Sequence, residues 1–322
     1  MADPANPEVI EDLVREISAG LRSDPPTLPT RLFYDRRGSE LFEAITQSPE
    51  YYLTRTELEI LEGVIPGWVE EFQPAGVVEL GAGSATKTRV LLDALVGDGP
   101  GEVFVPLDVS EDFLRETGRV LREEYPDLRI VPEIADFTQP LDLAVQLPSP
   151  ASFVFLGSTL GNFSSRESDR LLSQIRSVMG GSDHLIMGVD LKPSPWKSVE
   201  ALESAYNDAQ GLTEEFNLNI LRVVNRRLGM DFDPELFAHR AFYDHEYGWV
   251  EMRLVSKGAQ EVALPDGGVL PLGPGDWIRT EISTKYDEDQ VNRLLARAGL
   301  RVVRWQQDSR ARFALLLAEV HR

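Results

Sequence analysis

The sequence predicts an α/β protein: a doubly wound parallel sheet closed by a terminal antiparallel hairpin and interrupted by a second, α+β lobe. Three observations carry this. From residue 77 apolar runs alternate with helical patterns at intervals of about 25–30 residues, the spacing of βαβ units. After Asp190 the rhythm stops at the proline-rich "KPSPWKS". It returns at the C-terminus as a helix and two apolar runs, "LRVVRWQQD" and "RFALLLAEV", joined by a short "SRA" turn.

Each element has its own signal. Residues 8–22 place apolar side chains at helical spacing, and "DPPTLPT" then stops the helix. "SELFEAITQ" predicts a short helix capped by Ser39. "TRTELEILEGVIPGWVEEF" predicts a longer one from about Thr54, with Leu58, Leu61 and Ile65 on one face. Parallel strands are expected at 76–80, 103–108, 129–136, 152–157 and 184–190, with helices near 86–96, 111–125 and 166–179. Residues 198–228 read as mostly helical. Strands follow at 249–257 and 276–286, joined through the glycine- and proline-rich "PDGGVLPLGPG", and "DEDQVNRLLARAG" is the last helix.

Bulk properties exclude several function classes. Lys+Arg number 32 against Asp+Glu 53, a net charge of −21. Such a surface repels phosphate backbones, and no basic patch offsets it, so no nucleic-acid partner is expected. The charge reads as a solvated surface, with salt adaptation of the host as a further reading. No apolar run approaches the roughly 18 residues that span a bilayer. The acidic N-terminus lacks the basic-then-apolar order of a secretory signal, which predicts a cytoplasmic protein, and a monomer is expected. There is no cysteine, and His184, His239, His245 and His321 show no metal-ligand spacing, so no metal is expected.

"VVELGAGSATKT" (77–88) is a buried strand, an acidic residue, a Gly-x-Gly turn and a helix start. Gly81 and Gly83 let the backbone approach a ligand where a side chain would block it. The dinucleotide fingerprint needs a third glycine, and position 86 is Thr. Two glycines preceded by Glu79 suit S-adenosylmethionine (SAM) better, since its methionine end has no pyrophosphate; a bare strand-to-helix turn is the alternative. Asp108 ends the second strand, where a carboxylate can accept both ribose hydroxyls or merely cap a helix. Asp136 can accept from an adenine amino group while Phe137 packs on the ring; a cap plus a core aromatic is the plainer reading. All three features stand at strand C-termini, the ligand-binding edge of such a sheet.

After the fourth strand stands "GSTLGNF" (157–163), where many amine- and amide-methylating enzymes carry an Asp/Asn-Pro-Pro-aromatic turn. Together with "FYDRRGSELFEAIT", "PEYYLTRTE", "NLNILRVVNRRL" and "TEISTKY", it resembles the histidine-specific Nα-methyltransferases of ergothioneine biosynthesis, the EgtD family. The resemblance runs from about residue 30 to the C-terminus. It implies a Rossmann-like SAM-dependent methyltransferase core, at 57–195 and 285–322, interleaved with a substrate-binding lobe, at 1–56 and 196–284. L-Histidine would bind between the two and be methylated three times on its α-amino nitrogen, giving the betaine hercynine.

Carried over by position, Tyr51 and Tyr206 would grip the substrate carboxylate. Asn162 would hold the α-amine with Tyr34 near it, while Glu281 and Ser283 would read the imidazole. Phe42, Gly157, Thr159 and Met252 would line the pocket. The cofactor side would comprise Gly81, Gly83, Lys87, Asp108, Asp136 and Phe137. The glycine loop departs modestly from the pattern at Ala82 and Ala85, so no contact is assigned to them.

The chemistry agrees with the resemblance. Methyl transfer from a sulfonium is an in-line displacement that mainly demands alignment. The amine must be neutral to attack; an Asn carbonyl can orient it, whereas an Asp would favour the unreactive ammonium. Glu281 can accept from an imidazole N–H and Ser283 can donate to the other nitrogen. A buried carboxylate without its partner is costly, so apolar side chains should be rejected. Two alternatives stand beside this reading. One is methylation of another amino acid such as tryptophan, which a reshaped pocket at Met252 or Glu281 would favour. The other is an NAD(P)-dependent oxidoreductase, which Thr86 disfavours.

Overall fold

A computed structural model describes residues 7–98, 100–137 and 139–321. The first six residues of the acidic N-terminus and Thr138 of the "ADFT" motif therefore lie outside the described residues. In chain order the helices are α1 (Pro7–Leu21), α2 (Arg36–Thr46), α3 (Tyr52–Phe72), α4 (Arg89–Asp98), α5 (Glu111–Glu124), α6 (Ser165–Val178), α7 (Val199–Ser204), α8 (Leu212–Leu228) and α9 (Glu288–Arg297). The first strands are β1 (Gly76–Leu80), β2 (Val103–Asp108), β3 (Arg129–Ile130), β4 (Glu133–Ile134), β5 (Ala151–Phe155) and β6 (His184–Asp190). Then come β7 (Phe237–Asp244), β8 (Trp249–Ser256), β9 (Gln260–Ala263), β10 (Val269–Leu272), β11 (Trp277–Thr284), β12 (Leu300–Gln307) and β13 (Phe313–Val320). The chain divides into two compact units, Leu53–Ser198 with Thr284–Arg322, and Met1–Tyr52 with Val199–Ser283.

The first unit is the doubly wound sheet. Its strand order is β12-β13-β6-β5-β1-β2-β3, with β4 also on β2. Pairs among β1 to β6 are parallel, and β13 joins β6 antiparallel, as expected of a terminal hairpin. Every residue of β1 and β5 is buried, the signature of a sheet covered on both faces. Strand order reverses at β1: β2 lies on one side of it and β5 on the other, which makes a crevice at their C-terminal ends. Capping boxes start α6 (Ser164 with Glu167) and α9 (Asp287 with Gln290).

The expected strand at 129–136 is instead two fragments, β3 and β4, both on β2. Pro132 between them has no N–H to give the ladder, and its ring fills the space where a Cβ on Gly118 of α5 would stand, 2.4 Å from Cγ.

In the second unit α8 packs against α2, β7 and β8 through a buried face that includes Phe216, Ile220 and Val224. The helical stretch 198–228 is broken at "NDAQG": Asp208 accepts from the Leu212 and Thr213 N–H groups (2.9 and 2.8 Å), and Gly211 turns at φ 74°. Helix α2 is capped by Asp35, which accepts from Gly38 N at 2.8 Å, and not by Ser39, which is buried one turn inside. The sheet β11-β8-β7 includes one strand the pattern did not announce, "FAHRAFYD" (β7). The glycine-rich connection also contains strand β10, paired with β9 around a turn at Gly267 (φ 92°).

Among the described residues no helix is long and apolar enough to cross a membrane.

Candidate active site

The glycine turn after β1 is held from below by β2: Gly81 and Ala82 N–H groups both donate to the Leu107 carbonyl, at 2.8 and 3.0 Å. Gly81 (φ 73°) and Gly83 (φ 51°) take left-handed conformations that favour glycine. Asp108, at the end of β2, accepts from Gly83 N through Oδ2 and from Ser110 N through Oδ1, each at 3.0 Å. Burial pushes its carboxyl up, against the pull of these N–H donors. Each oxygen retains acceptor capacity, so the site can take a ribose diol. Phe137 Cε2 stands 3.8 Å from where a Cβ on Gly81 would be, and its ring meets Phe155 edge-on at 6.1 Å. Asp136 precedes it, half-buried.

Beneath the turn Glu79 is buried and accepts from the Thr88 hydroxyl, while its Oε2 has no hydrogen-bond partner among the described residues. Burial pushes this carboxyl up to about 8; Thr88 and Lys87 oppose the shift, and Glu57 and Asp108 add to it. An open glycine backbone, a strand-end carboxylate with spare acceptor sites and an orphaned buried oxygen fit SAM.

The loop after β5 begins at Gly157 (φ 78°) and Ser158 (φ 57°) and closes as a 3-10 turn, Thr159–Asn162. Gly157 N donates to both oxygens of Glu57 at 2.9 Å, and Glu57, whose side chain is fully buried, pairs with Lys87 Nζ. Thr159 Oγ1 donates to the Leu156 carbonyl at 2.8 Å. Asn162 is half-buried, and its carboxamide makes no hydrogen bond to another described residue. Sequence reading missed Glu57; the available signal was an acidic residue four positions from both Leu53 and Leu61, which are buried on one face of α3.

Next to this loop lies a second buried charge node. Asp190, at the end of β6, accepts from Lys197 Nζ through Oδ1 (2.6 Å) and pairs with Lys285 Nζ through Oδ2 (3.0 Å), all three side chains fully buried. Its backbone N donates to Ser158 Oγ at 2.9 Å. Burial pushes Lys197 down to about 8, although Asp190 pulls it up. Burial alone would raise the Asp190 carboxyl, but the two ammonium groups hold it below the ordinary range.

The other unit carries a run of aromatic rings. Tyr34 meets Phe42 edge-on (5.8 Å), Phe42 meets Tyr51 (6.1 Å), and Tyr51 meets Tyr206 (6.3 Å). The Tyr206 hydroxyl donates to Ser283 Oγ at 2.9 Å. Ser283 and Glu281 are two apart on β11 and both buried. Behind Tyr206 runs a polar chain that the sequence did not reveal. Thr280 Oγ1 donates to Asn217 Oδ1 (2.6 Å), Asn217 Nδ2 to His239 Nδ1 (2.8 Å), and His239 Nε2 to the Tyr206 carbonyl (2.8 Å). Asn217 Nδ2 also donates to the Arg253 carbonyl at 3.1 Å. These directions require His239 neutral with its proton on Nε2, and burial pushes its pKa down. Met252 is buried on β8, its carbonyl accepting from Thr280 at 3.2 Å.

The residues singled out from the sequence thus form two sets. Tyr34, Phe42, Tyr51, Tyr206, Glu281 and Ser283 are on one unit, as is Met252. Gly81, Gly83, Lys87, Asp108, Asp136 and Phe137 are on the other, as are Gly157, Thr159 and Asn162.

Comparison with known proteins places this arrangement. Residues 13–320 match the family described as "Histidine-specific methyltransferase, SAM-dependent". A histidine N-alpha-methyltransferase of Mycobacterium tuberculosis is 38% identical over 312 residues, covering 95% of this chain and 94% of its own. Ergothioneine biosynthesis protein 1 of Neurospora crassa is 30% identical over 306 residues, covering 91% of this chain and 33% of that longer protein. A SAM-dependent methyltransferase from Clostridium acetobutylicum has a TM-score of 0.51 at 12% identity, covering 88% of this chain and 99% of its own, which shows the shared fold. The match over nearly the whole chain, joined to a SAM-type glycine turn at the switch point of a doubly wound sheet, makes this protein a member of the SAM-dependent histidine-specific methyltransferase family.

Proposed function

We propose that the protein transfers three methyl groups from SAM to the α-amino nitrogen of L-histidine, giving hercynine for ergothioneine biosynthesis. The observation that carries this reading is the family match over residues 13–320, within which every residue assigned by the resemblance is present. SAM supplies the electrophilic methyl. Asp108 would accept the ribose hydroxyls, Asp136 and Phe137 would take the adenine, and Lys87 would face the methionine carboxylate across the Gly81–Gly83 turn. Thr86 and Lys87 follow that turn where a dinucleotide site would need its third glycine.

On the substrate side Tyr51 and Tyr206 would grip the histidine carboxylate, Tyr206 turning to it the hydroxyl proton that it gives Ser283 Oγ in this structure. Tyrosine suits this task in an acidic protein, because it needs no net charge of its own. Glu281 would accept from one imidazole nitrogen and Ser283 would donate to the other. Phe42 and Met252 would supply the apolar walls, and Gly157 and Thr159 the floor of the amine end. In the first two transfers Asn162 would accept an N–H of the neutral amine through its carboxamide oxygen and aim the lone pair, with Tyr34 beside it; the dimethylamine of the third has no N–H to give. After each transfer the nitrogen carries one more methyl and must shed a proton before the next attack. A neutral Asn permits that loss, where a carboxylate would resist it. Trimethylation therefore needs orientation rather than a strong base. The same reading has the enzyme acting as a monomer in the cytoplasm.

Purified protein incubated with SAM and L-histidine should yield mono-, di- and trimethylated histidine by mass spectrometry. Turnover of tryptophan or another amino acid with no methyl transfer to histidine would overturn the assignment.

A further inference from the structure

We propose that Glu57 is a positioning residue for methyl transfer: one buried carboxylate ties the Lys87 side chain to the backbone of Gly157. The cofactor-side cation and the first residue of the loop that ends at Asn162 are thereby set by the same group. The catalytic part of this inference rests on the proposed function; the binding part rests only on the family's use of SAM.

Four observations support it. Gly157 N donates to both Glu57 oxygens at 2.9 Å, a shared contact across a hundred residues of sequence. Lys87 Nζ pairs with Oε2, and it stands 3.3 Å from where a Cβ on Gly157 would be, so ammonium, carboxylate and loop backbone meet at one point. The Glu57 side chain is fully buried while Lys87 keeps one fifth of its surface exposed. The anion is thus the fixed member and the cation the one with access to a ligand. Finally, the carboxylate lies against the backbone of β6: a Cβ on Gly188 would come within 1.9 Å of Oε1. The sheet keeps a glycine at the point where Glu57 reaches its partners. A buried carboxylate holding both a cation and a backbone N–H is costly to leave half-made, so the two contacts should stand or fall together.

Lys87 is the residue that would face the methionine carboxylate, and Glu57 prevents it from extending elsewhere. Two carboxylates then share the ammonium, one from the protein and one from the ligand. Because the same Glu57 oxygens hold Gly157 N, displacement of the ammonium also releases the entrance of the 157–162 loop.

The test is a double-mutant cycle on Glu57→Gln and Lys87→Met, read by calorimetric titration of the full chain with S-adenosylhomocysteine. Glutamine keeps an acceptor for Gly157 but turns a donor toward the ammonium. Each single variant should weaken binding by about tenfold or more, and the double variant should be no weaker than the worse single, a departure from additivity of about tenfold, equal to 1.4 kcal/mol. Losses that multiply, or unchanged affinity with only a lower melting temperature, would overturn the proposal. If Glu57→Gln does not fold, Lys87→Met alone decides. Weakened S-adenosylhomocysteine binding together with faster amide exchange at Gly157 supports the node, and wild-type values of either refute it. In active variants, kcat for the amino acid should fall more than its KM rises, since the loop is displaced rather than the substrate grip. Histidine is absent from the calorimetric arm. A chain that bound S-adenosylhomocysteine as expected but methylated another amine would therefore sink the histidine assignment and leave Glu57 in place.

Discussion

Asp190→Asn puts the buried charge node to a quantitative test. In the native protein one carboxylate serves two ammonium groups, Lys197 at 2.6 Å and Lys285 at 3.0 Å, with no solvent at any of the three side chains. Asparagine keeps the shape and removes the charge. Removing one partner of a buried ion pair costs roughly 3–5 kcal/mol, because the other is left charged and unsolvated. An ammonium can escape only by losing its proton. Starting from an ordinary lysine value of 10.5, that costs roughly 5 kcal/mol at pH 7, which caps the penalty per lysine. The pH dependence follows from Lys197, pushed down to about 8 by burial even with Asp190 in place. Between pH 8 and 10.5 the unfolded chain binds a proton that the folded chain does not, so this lysine makes stability rise with pH across that window. Without Asp190 the pull that keeps Lys197 protonated is gone, so the window opens at lower pH and the variant gains stability over a wider interval. Urea unfolding of both proteins at pH 7 and pH 9, followed by fluorescence and circular dichroism, should show a deficit of about 3–5 kcal/mol at pH 7 that narrows at the higher pH. A deficit below about 1 kcal/mol, or one that widens with pH, would refute the reasoning.

Three further outcomes follow from the site. Glu281→Ala should raise KM for histidine by roughly a hundredfold while leaving SAM affinity within about twofold, since a buried acceptor for the imidazole is lost and the donor side is untouched; equal loss of both would contradict the assigned role. Asn162→Asp should lower kcat/KM and move the alkaline rise of the pH–rate profile upward by about one pH unit, because a carboxylate holds the substrate amine as ammonium; an unshifted profile argues against Asn162 as the amine ligand. His239 is held neutral by burial, so the unfolded chain binds a proton more readily below pH 6.5, and stability present at neutral pH is lost as pH falls through that point. His239→Phe should remove this acid-side slope and cost about 1–3 kcal/mol at pH 7 by stranding the Asn217 amide and the Tyr206 carbonyl, as thermal unfolding at pH 7 and pH 5 would show.

Much of the fold was legible because it obeys local pattern. The apolar runs at β1, β2, β5 and β6 are buried on both faces, and such strands cannot be mistaken for solvent-facing ones. The terminal hairpin declared itself through two long apolar runs and a turn that Asp308 organises by accepting from Arg312 and Phe313 N–H groups. Failures came where pattern and packing part company. Pro132 splits a strand that its neighbours' side chains would have continued. Strand β7 mixes His239, Arg240 and Tyr243 into its alternation, because part of its buried face is polar and satisfied by α8. Ser39 looked like a cap, but Asp35 took the position and also accepts from Asn219, a residue far along the chain.

The sequence by itself determined the α/β class, the glycine turn at a strand end, the reversal into a terminal hairpin and the residue types that mark the family. These are short-range properties, written in periodicity and in glycines that must turn. Only the tertiary structure decided which buried polar groups meet: Glu57 with Lys87 and Gly157, Asp190 with Lys197 and Lys285, and His239 with Asn217 behind Tyr206. A buried polar side chain takes whatever partner the packed chain brings to it, and residues a hundred positions apart carry no local trace of that choice.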